Sequence, residues 1–226
     1  MSKVIVIFSG GQDSTTCLGW AKNHYDDVTA ISFFYRQNHD IELQQAKKIA
    51  DALKVPLQVI DISFFGSMVR SALIGEGDVN APHEDRPDLP ASFVPNRNAL
   101  FILLAHSLAQ TLKADTLVTG VCQTDYSGYP DCRQDFIDAI QQTLNLGSLS
   151  NIKIATPLMN LTKAQTFKLA EDEGVLDLVL KESHTCYNAS TVMNDWGRGC
   201  GECPACQLRA KGFAEYRSQF GDTPCQ

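Results

Sequence analysis

The chain has 226 residues, of which 44% are apolar and 20% are charged, and its formal net charge is −7. This length and apolar content suffice for one globular domain with its own core, which excludes intrinsic disorder and a small disulfide-held fold. The acidic balance argues against a broad basic surface for phosphate backbones. We therefore expect no nucleic-acid partner, although local groups can still hold a small anionic ligand.

The sequence contains neither a membrane segment nor an export signal. No stretch approaches the ~18 consecutive apolar residues of a membrane span. The run Met1–Phe8 is apolar but too short for a signal peptide, and it continues directly into glycines. We find no internal repeat or linker, so we predict a cytoplasmic protein with no membrane partner and a single domain over residues 1–226.

Short β-branched runs alternate with helical periods along the chain, which is typical of an α/β fold with a parallel sheet and helices on both faces. Strands are predicted at Lys3–Phe8, Val28–Tyr35, Leu57–Ile62, Thr116–Cys122 and Ile152–Pro157. Helices are predicted at Asp40–Leu53, Asn96–Ala114 and Arg133–Leu146, then after a Thr162 cap, beyond Gly174, and from Pro204.

A glycine loop lies between the first predicted strand and the helix that follows it. Gly10 and Gly11 let the backbone approach a ligand, and a helix N-terminus favours negative charge. Ser9 and Ser14 add hydroxyl donors, and Asp13 can cap the helix or orient a metal ion. The loop matches neither the Walker A nor the dinucleotide pattern. The residues alone leave open an anion-binding loop of another kind or an ordinary capped Gly-Gly turn.

The string Ser9-Gly10-Gly11-Gln12-Asp13-Ser14 resembles the diphosphate-binding loop, or PP-loop, of the ATP pyrophosphatases. That superfamily contains NAD synthetase, GMP synthetase and tRNA-thiolating enzymes. The resemblance implies a Rossmann-like sheet and cleavage of ATP between its α and β phosphates, with the loop holding the leaving diphosphate. It implies catalytic roles for Ser9, Asp13 and Ser14. The implied nucleotide-binding residues are Phe8, Ser9, Gly10, Gly11, Gln12, Asp13, Ser14, Thr15, Thr16, Cys17 and Leu18.

Four further strings lie near predicted strand ends: Phe93–Asn98, Thr119–Cys122, Ser127–Arg133 and Thr156–Met159. With the loop and the cysteines, they resemble the 7-cyano-7-deazaguanine synthase family, QueC, over nearly the whole chain. The resemblance implies an ATP-dependent ligase that converts 7-carboxy-7-deazaguanine and ammonia to 7-cyano-7-deazaguanine. The resemblance also implies adenylated acid and amide intermediates, with release of AMP and diphosphate. It further implies bound zinc and Mg²⁺, and a homodimer.

Two arginines are candidate cations for the site that the resemblance implies. Arg97 and Arg133 are predicted to be catalytic, because either can clamp a phosphate or the substrate carboxylate. Tyr129, Asp131 and Arg133 are predicted to bind the substrate, with Asp131 accepting from the N–H groups of a guanine-like base and Tyr129 stacking on it. From spacing alone, a helix cap at Asp131, a turn at Tyr129 and a surface ion pair at Arg97 remain alternatives.

The sequence departs from the family pattern in places. The family's D-Y-G-Q-R-H is Phe34–His39 here, and its P-G-R-N is Pro95–Asn98 with Asn96 in the glycine position. Asn tolerates positive φ next best after glycine, so Asn96 suits this position if the backbone there requires positive φ. The segment from Cys186 to Cys200 is longer than the family pattern.

Three of the eight cysteines form a C-x2-C-x2-C pattern, Cys200, Cys203 and Cys206, and Cys186 lies upstream as a fourth ligand. Four thiolates suit tetrahedral Zn²⁺ with no open position, so we predict a structural zinc that pins residues 183–220 onto the domain. A [4Fe–4S] cluster shares this spacing, and a metal-free thiol cluster is the remaining alternative.

Two other functions compete with the ligase. A tRNA-thiolating enzyme of the same superfamily would need a basic tRNA-binding surface, which the net charge of −7 argues against. A zinc-ribbon binding module should lie in a basic domain, and it would leave the PP-loop unexplained. The prediction is therefore the nitrile-forming ligase, with the thiolating enzyme as the alternative.

Overall fold

The computed structural model describes residues 2–35, 41–69, 71–74, 77–79, 81–84, 86–124 and 129–221. Positions 36–39 of the string that departs from the family pattern lie outside these residues. Ser127 and Gly128 of the predicted substrate string, and Cys225, lie outside them as well.

The centre of the fold is a five-stranded parallel sheet with the order β3-β2-β1-β4-β5. Its strands are β1 (Lys3–Ile7), β2 (Asp27–Phe34), β3 (Leu57–Asp61), β4 (Thr116–Val118) and β5 (Lys153–Ala155). Because β1 lies between β2 and β4, the chain reverses its direction of strand addition at β1. Ligands of open α/β sheets bind at such a point, beyond the carboxyl ends of the strands.

Helices cover both faces of the sheet, as the alternation predicts. They are α1 (Gln12–His24), α2 (Ile41–Leu53), α3 (Ser63–Met68), α4 (Arg97–Leu112), α5 (Gln134–Ser148), α6 (Lys163–Asp172), α7 (Leu176–Lys181) and α8 (Pro204–Phe220). Successive β1 side chains point to opposite faces, so Val4 and Val6 join a core with α1 and α2. Ile5 joins a second core with α4.

The expected α/β fold is confirmed, and individual elements differ locally from the prediction. Helix α3 was not predicted, because six residues are too few to show a helical period. Strand β4 ends at Val118 rather than Cys122. The reason is that Gly120 lies against the first turn of α1, where an added Cβ would be 3.2 Å from the Ser14 nitrogen. The chain leaves the sheet there to let α1 approach.

In the C-terminal part of the chain, α6 and α7 pack against α1. Thr162 caps α6 through a capping box with Gln165, as its position predicts, and α8 begins at Pro204. The segment between them contains a short hairpin, β6 (Met193–Asn194) with β7 (Gly197–Arg198). Across the described ranges, no helix has the length and apolar character of a membrane span.

Candidate active site

The PP-loop leaves β1 and turns at Gly10, whose φ is +84°. A Cβ at this position would lie 2.7 Å from the Glu42 carbonyl oxygen and 2.8 Å from the Ala46 nitrogen, so the loop packs directly on the backbone of α2. Only glycine satisfies both the positive φ and the close approach. Gly11 then adopts an extended conformation as the N-cap residue of α1, without any side-chain cap. The local geometry is therefore fixed by backbone packing.

Hydroxyl groups surround this turn. The Oγ atoms of Ser9 and Ser14 are 3.1 Å apart, and the Ser9 backbone N–H donates to Ser14 Oγ at 3.2 Å. The Ser9 Oγ accepts from the Gly11 N–H at 3.3 Å, and Thr15 Oγ1 donates to the Gly11 carbonyl at 2.8 Å. The Thr15 hydroxyl is buried and its proton is taken by the Gly11 carbonyl. Ser9, Ser14 and the N–H groups of the first helical turn are therefore the groups that an anion can meet at this loop.

Asp13 is the second residue of α1, and it does not cap the helix. Its two carboxylate oxygens each accept from Lys163 Nζ at 2.9 Å. Lys163 is the first residue of α6, and its side chain is only 9% exposed, which is low for a lysine. A buried cation therefore lies next to the loop, and sequence reasoning did not single it out.

A cavity of about 330 Å³ opens beside the loop, a size in the range of small-molecule sites. Ser9, Gly11, Gln12, Asp13 and Ser14 line one side, and Arg97, Lys163 and Arg209 add positive charge. Some of the predicted nucleotide-binding residues of the loop and of α1 do not line the cavity: Gly10, Thr15, Thr16, Cys17 and Leu18. The last four are buried in α1, where they anchor the loop.

Arg97 lies at the start of α4, and the geometry of the preceding residue directs the chain into the cavity. Asn96 has a φ of +58°, so the backbone does require positive φ at the family's glycine position, and asparagine meets that condition. Burial disfavours the charged form of Arg97. Three neighbouring tyrosines outweigh this effect and raise the pKa of the guanidinium overall: Tyr35, which contributes most, Tyr129 and Tyr187. Arg97 therefore enters the cavity as a permanent cation.

Glu42 faces the same cavity from α2. Burial raises the pKa of its carboxyl to about 7, although the charge of Arg97 acts in the opposite direction. A carboxyl group with this pKa exchanges its proton near neutral pH, which is the range of general acids and bases.

Two predicted substrate residues lie away from the cavity wall. The Arg133 side chain is exposed at the N-cap of α5. Asp131 is buried, and its Oδ2 accepts from the Asn98 N–H at 3.2 Å, so it satisfies a donor in the first turn of α4 instead. Tyr129 does line the cavity, where its hydroxyl is 2.7 Å from Ser92 Oγ. In this arrangement the structure brings Tyr129 to the cavity, and it does not bring Asp131 or Arg133 there.

The cysteine cluster lies at the far side of the cavity. The Sγ atoms of Cys186, Cys200, Cys203 and Cys206 lie within 4.8 Å of one another. Those of Cys200 and Cys206 are 3.9 Å apart, near the ~3.8 Å edge of a tetrahedron with zinc–sulfur bonds of about 2.3 Å. The N–H groups of Glu202 and Cys203 donate to Cys200 Sγ at 3.4 and 3.3 Å, which favours a thiolate. The four residues can therefore hold a metal such as zinc.

The comparisons with known proteins agree with this geometry. A family model described as "Queuosine biosynthesis protein QueC" matches residues 3–217. The chain belongs to the QueC family. It is 53% identical to a 7-cyano-7-deazaguanine synthase of Wolinella succinogenes, over 97% of this chain and 95% of the relative. It is 46% identical to a synthase of the same name from Lysinibacillus sphaericus, over 96% of both chains.

These relatives confirm the sequence-based choice of a 7-cyano-7-deazaguanine synthase, and they give no support to the tRNA-thiolating alternative. Solved structures resemble the chain in fold alone. A predicted tRNA methyltransferase subunit from Methanocaldococcus jannaschii matches with a TM-score of 0.51 and 18% identity, over 76% of this chain and 75% of that one. A 4-thiouridine synthetase in complex with RNA and ATP matches with a TM-score of 0.51 and 13% identity, over 98% of this chain and 54% of that one.

Several cavity residues have only weak signals in the sequence. Lys163 directly follows the cap residue of α6, just beyond a string at the sheet edge, and this placement was its only signal. Thr185 and Tyr187 flank Cys186 of the cysteine cluster, and only the cysteine belongs to a recognisable pattern in the sequence. Glu42 reads as an ordinary first-turn acid of an amphipathic helix, and nothing in the local pattern separates it from others.

Proposed function

We propose that this chain catalyses the ATP-dependent conversion of 7-carboxy-7-deazaguanine and ammonia to 7-cyano-7-deazaguanine, as a ligase that forms a carbon–nitrogen bond. The observation that carries the proposal is the PP-loop fixed at Gly10, which opens into a cavity with buried cations in a chain of the QueC family. A loop that presents N–H and hydroxyl donors at a helix N-terminus favours an anion, so it suits the diphosphate that leaves ATP.

The first half of the reaction activates the acid. A carboxylate is a poor electrophile, so its oxygen attacks the α-phosphorus of ATP and diphosphate leaves. Ammonia then attacks the carbonyl carbon, AMP departs with the carboxyl oxygen, and the nitrogen loses a proton to give the amide. Ser9, Ser14 and the first-turn N–H groups of α1 are the donors that we assign to the diphosphate.

The second half repeats the activation on the amide. The amide oxygen attacks the α-phosphorus of a second ATP, and diphosphate leaves again. Expulsion of AMP and loss of the remaining nitrogen protons then form the carbon–nitrogen triple bond. Glu42 supports this step, because a carboxylate with a pKa near 7 in the cavity can accept a proton. One loop and one cavity serve both rounds.

Charge placement supports the assignment of the remaining roles. Arg97 and Lys163 are the cations that we assign to the phosphates and the substrate carboxylate, and Asp13 is the carboxylate that we assign to Mg²⁺ accompanying ATP. Tyr129 is the stacking group for the base. Substrate binding by Asp131 and Arg133 stays a prediction, and it requires a movement that exposes them to the cavity.

Zinc is the metal that we propose for the four cysteines, and its role when bound is to cross-link the C-terminal segment. Four thiolates from this chain fill all the coordination positions of a tetrahedral zinc ion, so we assign the zinc no part in the chemistry. A homodimer, a cytoplasmic location, a single domain and the absence of a nucleic-acid partner stay predictions.

The decisive experiment incubates the purified protein with 7-carboxy-7-deazaguanine, ATP and ammonium, followed by mass spectrometry and nucleotide analysis. The expected products are the nitrile, AMP and diphosphate, with two AMP per nitrile. ADP and phosphate would contradict attack at the α-phosphorus. Metal analysis of the same sample should give one zinc per chain and no absorbance near 400 nm, whereas a brown protein would identify an iron–sulfur cluster.

A further inference from the structure

The segment next to the cysteine cluster reaches back to the PP-loop at Thr185. This residue lines the cavity opposite Ser9. A Cβ at Gly11 would lie 3.4 Å from Ser9 Oγ and 3.9 Å from Thr185 Oγ1, so the two hydroxyl groups flank the same open face of the loop. Sequence reasoning gave Thr185 no role.

The Thr185 hydroxyl oxygen is already used twice as an acceptor. It accepts from the Gln12 backbone N–H at 3.3 Å and from Arg209 Nη1 at 3.2 Å. A hydroxyl group has two acceptor lone pairs and one proton. With both lone pairs engaged by N–H donors, the proton is left for donation, and the residue faces the cavity. We infer that Thr185 is a ligand-binding residue, whose hydroxyl donates a hydrogen bond to a diphosphate oxygen of ATP held in the PP-loop.

Arg209 fixes the direction of this donor. Its side chain is 1% exposed, and it also donates from Nε to the Trp196 carbonyl at 2.9 Å and from Nη2 to the Val179 carbonyl at 2.7 Å. A Cβ at Gly197 would lie 2.2 Å from Nη2, so the backbone closes around the guanidinium. Three acceptors hold the Arg209 guanidinium in one orientation. Its hydrogen bond to Thr185 Oγ1 in turn fixes the direction of the Thr185 hydroxyl group.

The same contacts join the nucleotide loop to the metal cluster. Thr185 precedes the ligand Cys186, and Arg209 lies one helical turn after the ligand Cys206 on α8. The His184 N–H donates to the Gly10 carbonyl at 3.0 Å, which adds a second link to the loop. A metal held by Cys186, Cys200, Cys203 and Cys206 would hold this wall of the site in place. Any gain in diphosphate affinity that it gave would be matched by an equal gain in the affinity for the metal when diphosphate is bound.

The inference rests on the proposed binding of ATP by the PP-loop, and a matched pair of variants tests it separately. Thr185→Val keeps the shape and removes the hydroxyl, whereas Thr185→Ser keeps the hydroxyl. Calorimetric titration with inorganic diphosphate should show at least about tenfold weaker binding for T185V, because valine removes the donor to the charged ligand and also the acceptor of the Gln12 N–H and of Arg209 Nη1. T185S keeps all three hydrogen bonds and should bind diphosphate nearly as well as the wild-type protein. The KM for ATP should follow the same pattern, with one metal per chain in both variants.

The outcomes separate the two proposals. If the wild-type protein binds diphosphate and T185V binds it equally well, the role of Thr185 is overturned while the proposed function stands. If the wild-type protein binds no diphosphate, the loop assignment fails and the inference fails with it. Binding by the wild-type protein without turnover of the deazaguanine overturns the proposed substrate and leaves Thr185 in place.

A second measurement uses only the wild-type protein, so it stays decisive if T185V does not fold. The affinity for Zn²⁺ is measured by competition with a chromophoric chelator, with and without saturating diphosphate, and is corrected for the binding of Zn²⁺ by diphosphate itself. Coupling through Thr185 and His184 should raise this affinity about tenfold, in the usual range of coupling between sites. An unchanged affinity would show that the two sites are independent and would contradict the contact between Thr185 and diphosphate.

Discussion

The two walls of the cavity are built by different means. The PP-loop continues the central strand and is fixed by backbone packing on α2, with Gly10 at the point of contact. The opposite wall, residues 184–187, belongs to a segment that carries only a two-stranded hairpin and the cysteine cluster. A wall made by a buried strand needs no ligand to keep its shape, whereas the other depends on single hydrogen bonds and on the metal cross-link that we propose for its cysteines.

Replacing Gly10 by Ala should give the largest effect, because it breaks the wall made by packing. A Cβ would collide with the backbone of α2 at 2.7 Å in a residue with φ of +84°. We expect a loss of order 3 kcal/mol in unfolding free energy from strain and overpacking. Activity should fall by about 100-fold, because the phosphate donors shift. Urea unfolding and steady-state kinetics measure both.

Gly201→Ala is the matched control in the cysteine segment. Gly201 also has positive φ, at +79°, but an added Cβ there meets no atom within 4 Å. Its expected cost is about 1 kcal/mol of backbone strain, with activity largely kept. Equal damage from G10A and G201A would show that strain, and not the contact with α2, governs the loop.

Lys163→Met removes a cation from the packed wall and leaves the Asp13 carboxylate without its partner. We expect kcat/KM for ATP to fall by about 30-fold, in the range for breaking a buried charge pair. Lys168→Met is the control on the same helix, since Lys168 forms exposed pairs with Glu171 and Asp172. Such surface pairs contribute ~0–1 kcal/mol, so K168M should behave as the wild-type protein.

Cys203→Ser tests the cross-linked wall. We expect loss of the metal and faster amide exchange in residues 183–220, with β1 and β2 still protected, because the sheet does not depend on the cluster. Affinity for ATP should fall about tenfold. Cys132→Ser lies outside the cluster and should keep the metal. If amide hydrogen exchange in residues 183–220 is as slow in C203S as in the wild-type protein, this wall keeps its structure without the metal.

Glu42→Gln tests a carboxyl group of the cavity wall through the pH dependence of stability. Burial raises the pKa of Glu42 to about 7, so the folded state binds a proton that the unfolded chain releases above its ordinary value of 4.5. Stability contributed by the neutral acid is full below 4.5 and is lost as pH rises toward 7. Relative to the wild-type protein, E42Q should gain of order 1–3 kcal/mol at pH 8 and nothing near pH 4.

Urea titrations at several pH values measure this difference between the two proteins. Glu215→Gln, on a partly exposed carboxylate of α8, is the control and should change stability by less than about 0.5 kcal/mol at each pH. A constant difference between E42Q and the wild-type protein across the pH range would show that Glu42 titrates normally.

Elements whose cause is local were predictable from the sequence. The apolar run of β1, the cap at Thr162 and the proline that begins α8 each depend on a few neighbouring residues, and the structure has them all. The grouping of the cysteines was predictable for the same reason, because three of them lie within seven positions, and the structure brings all four Sγ atoms within 4.8 Å of one another.

The pairing of distant side chains was not predictable. Lys163 binds Asp13 across 150 positions, and Gln12 donates to Thr185 across 173. Which way a side chain points at a helix start depends on how that helix packs on the sheet, so Asp131 and Arg133 were named for a cavity that they do not line. A single sequence gives the residue types near a sheet edge, but their directions come from the assembled fold.

The long separation between Gln12 and Thr185 also bears on how the protein is made. The loop leaves the ribosome early, and a chain that lacks its last 45 residues or so already contains every strand of the parallel sheet. It lacks the hydroxyl and the guanidinium that finish the site. The order of synthesis therefore places every strand of the sheet before Thr185 and Arg209, which lie at the cavity.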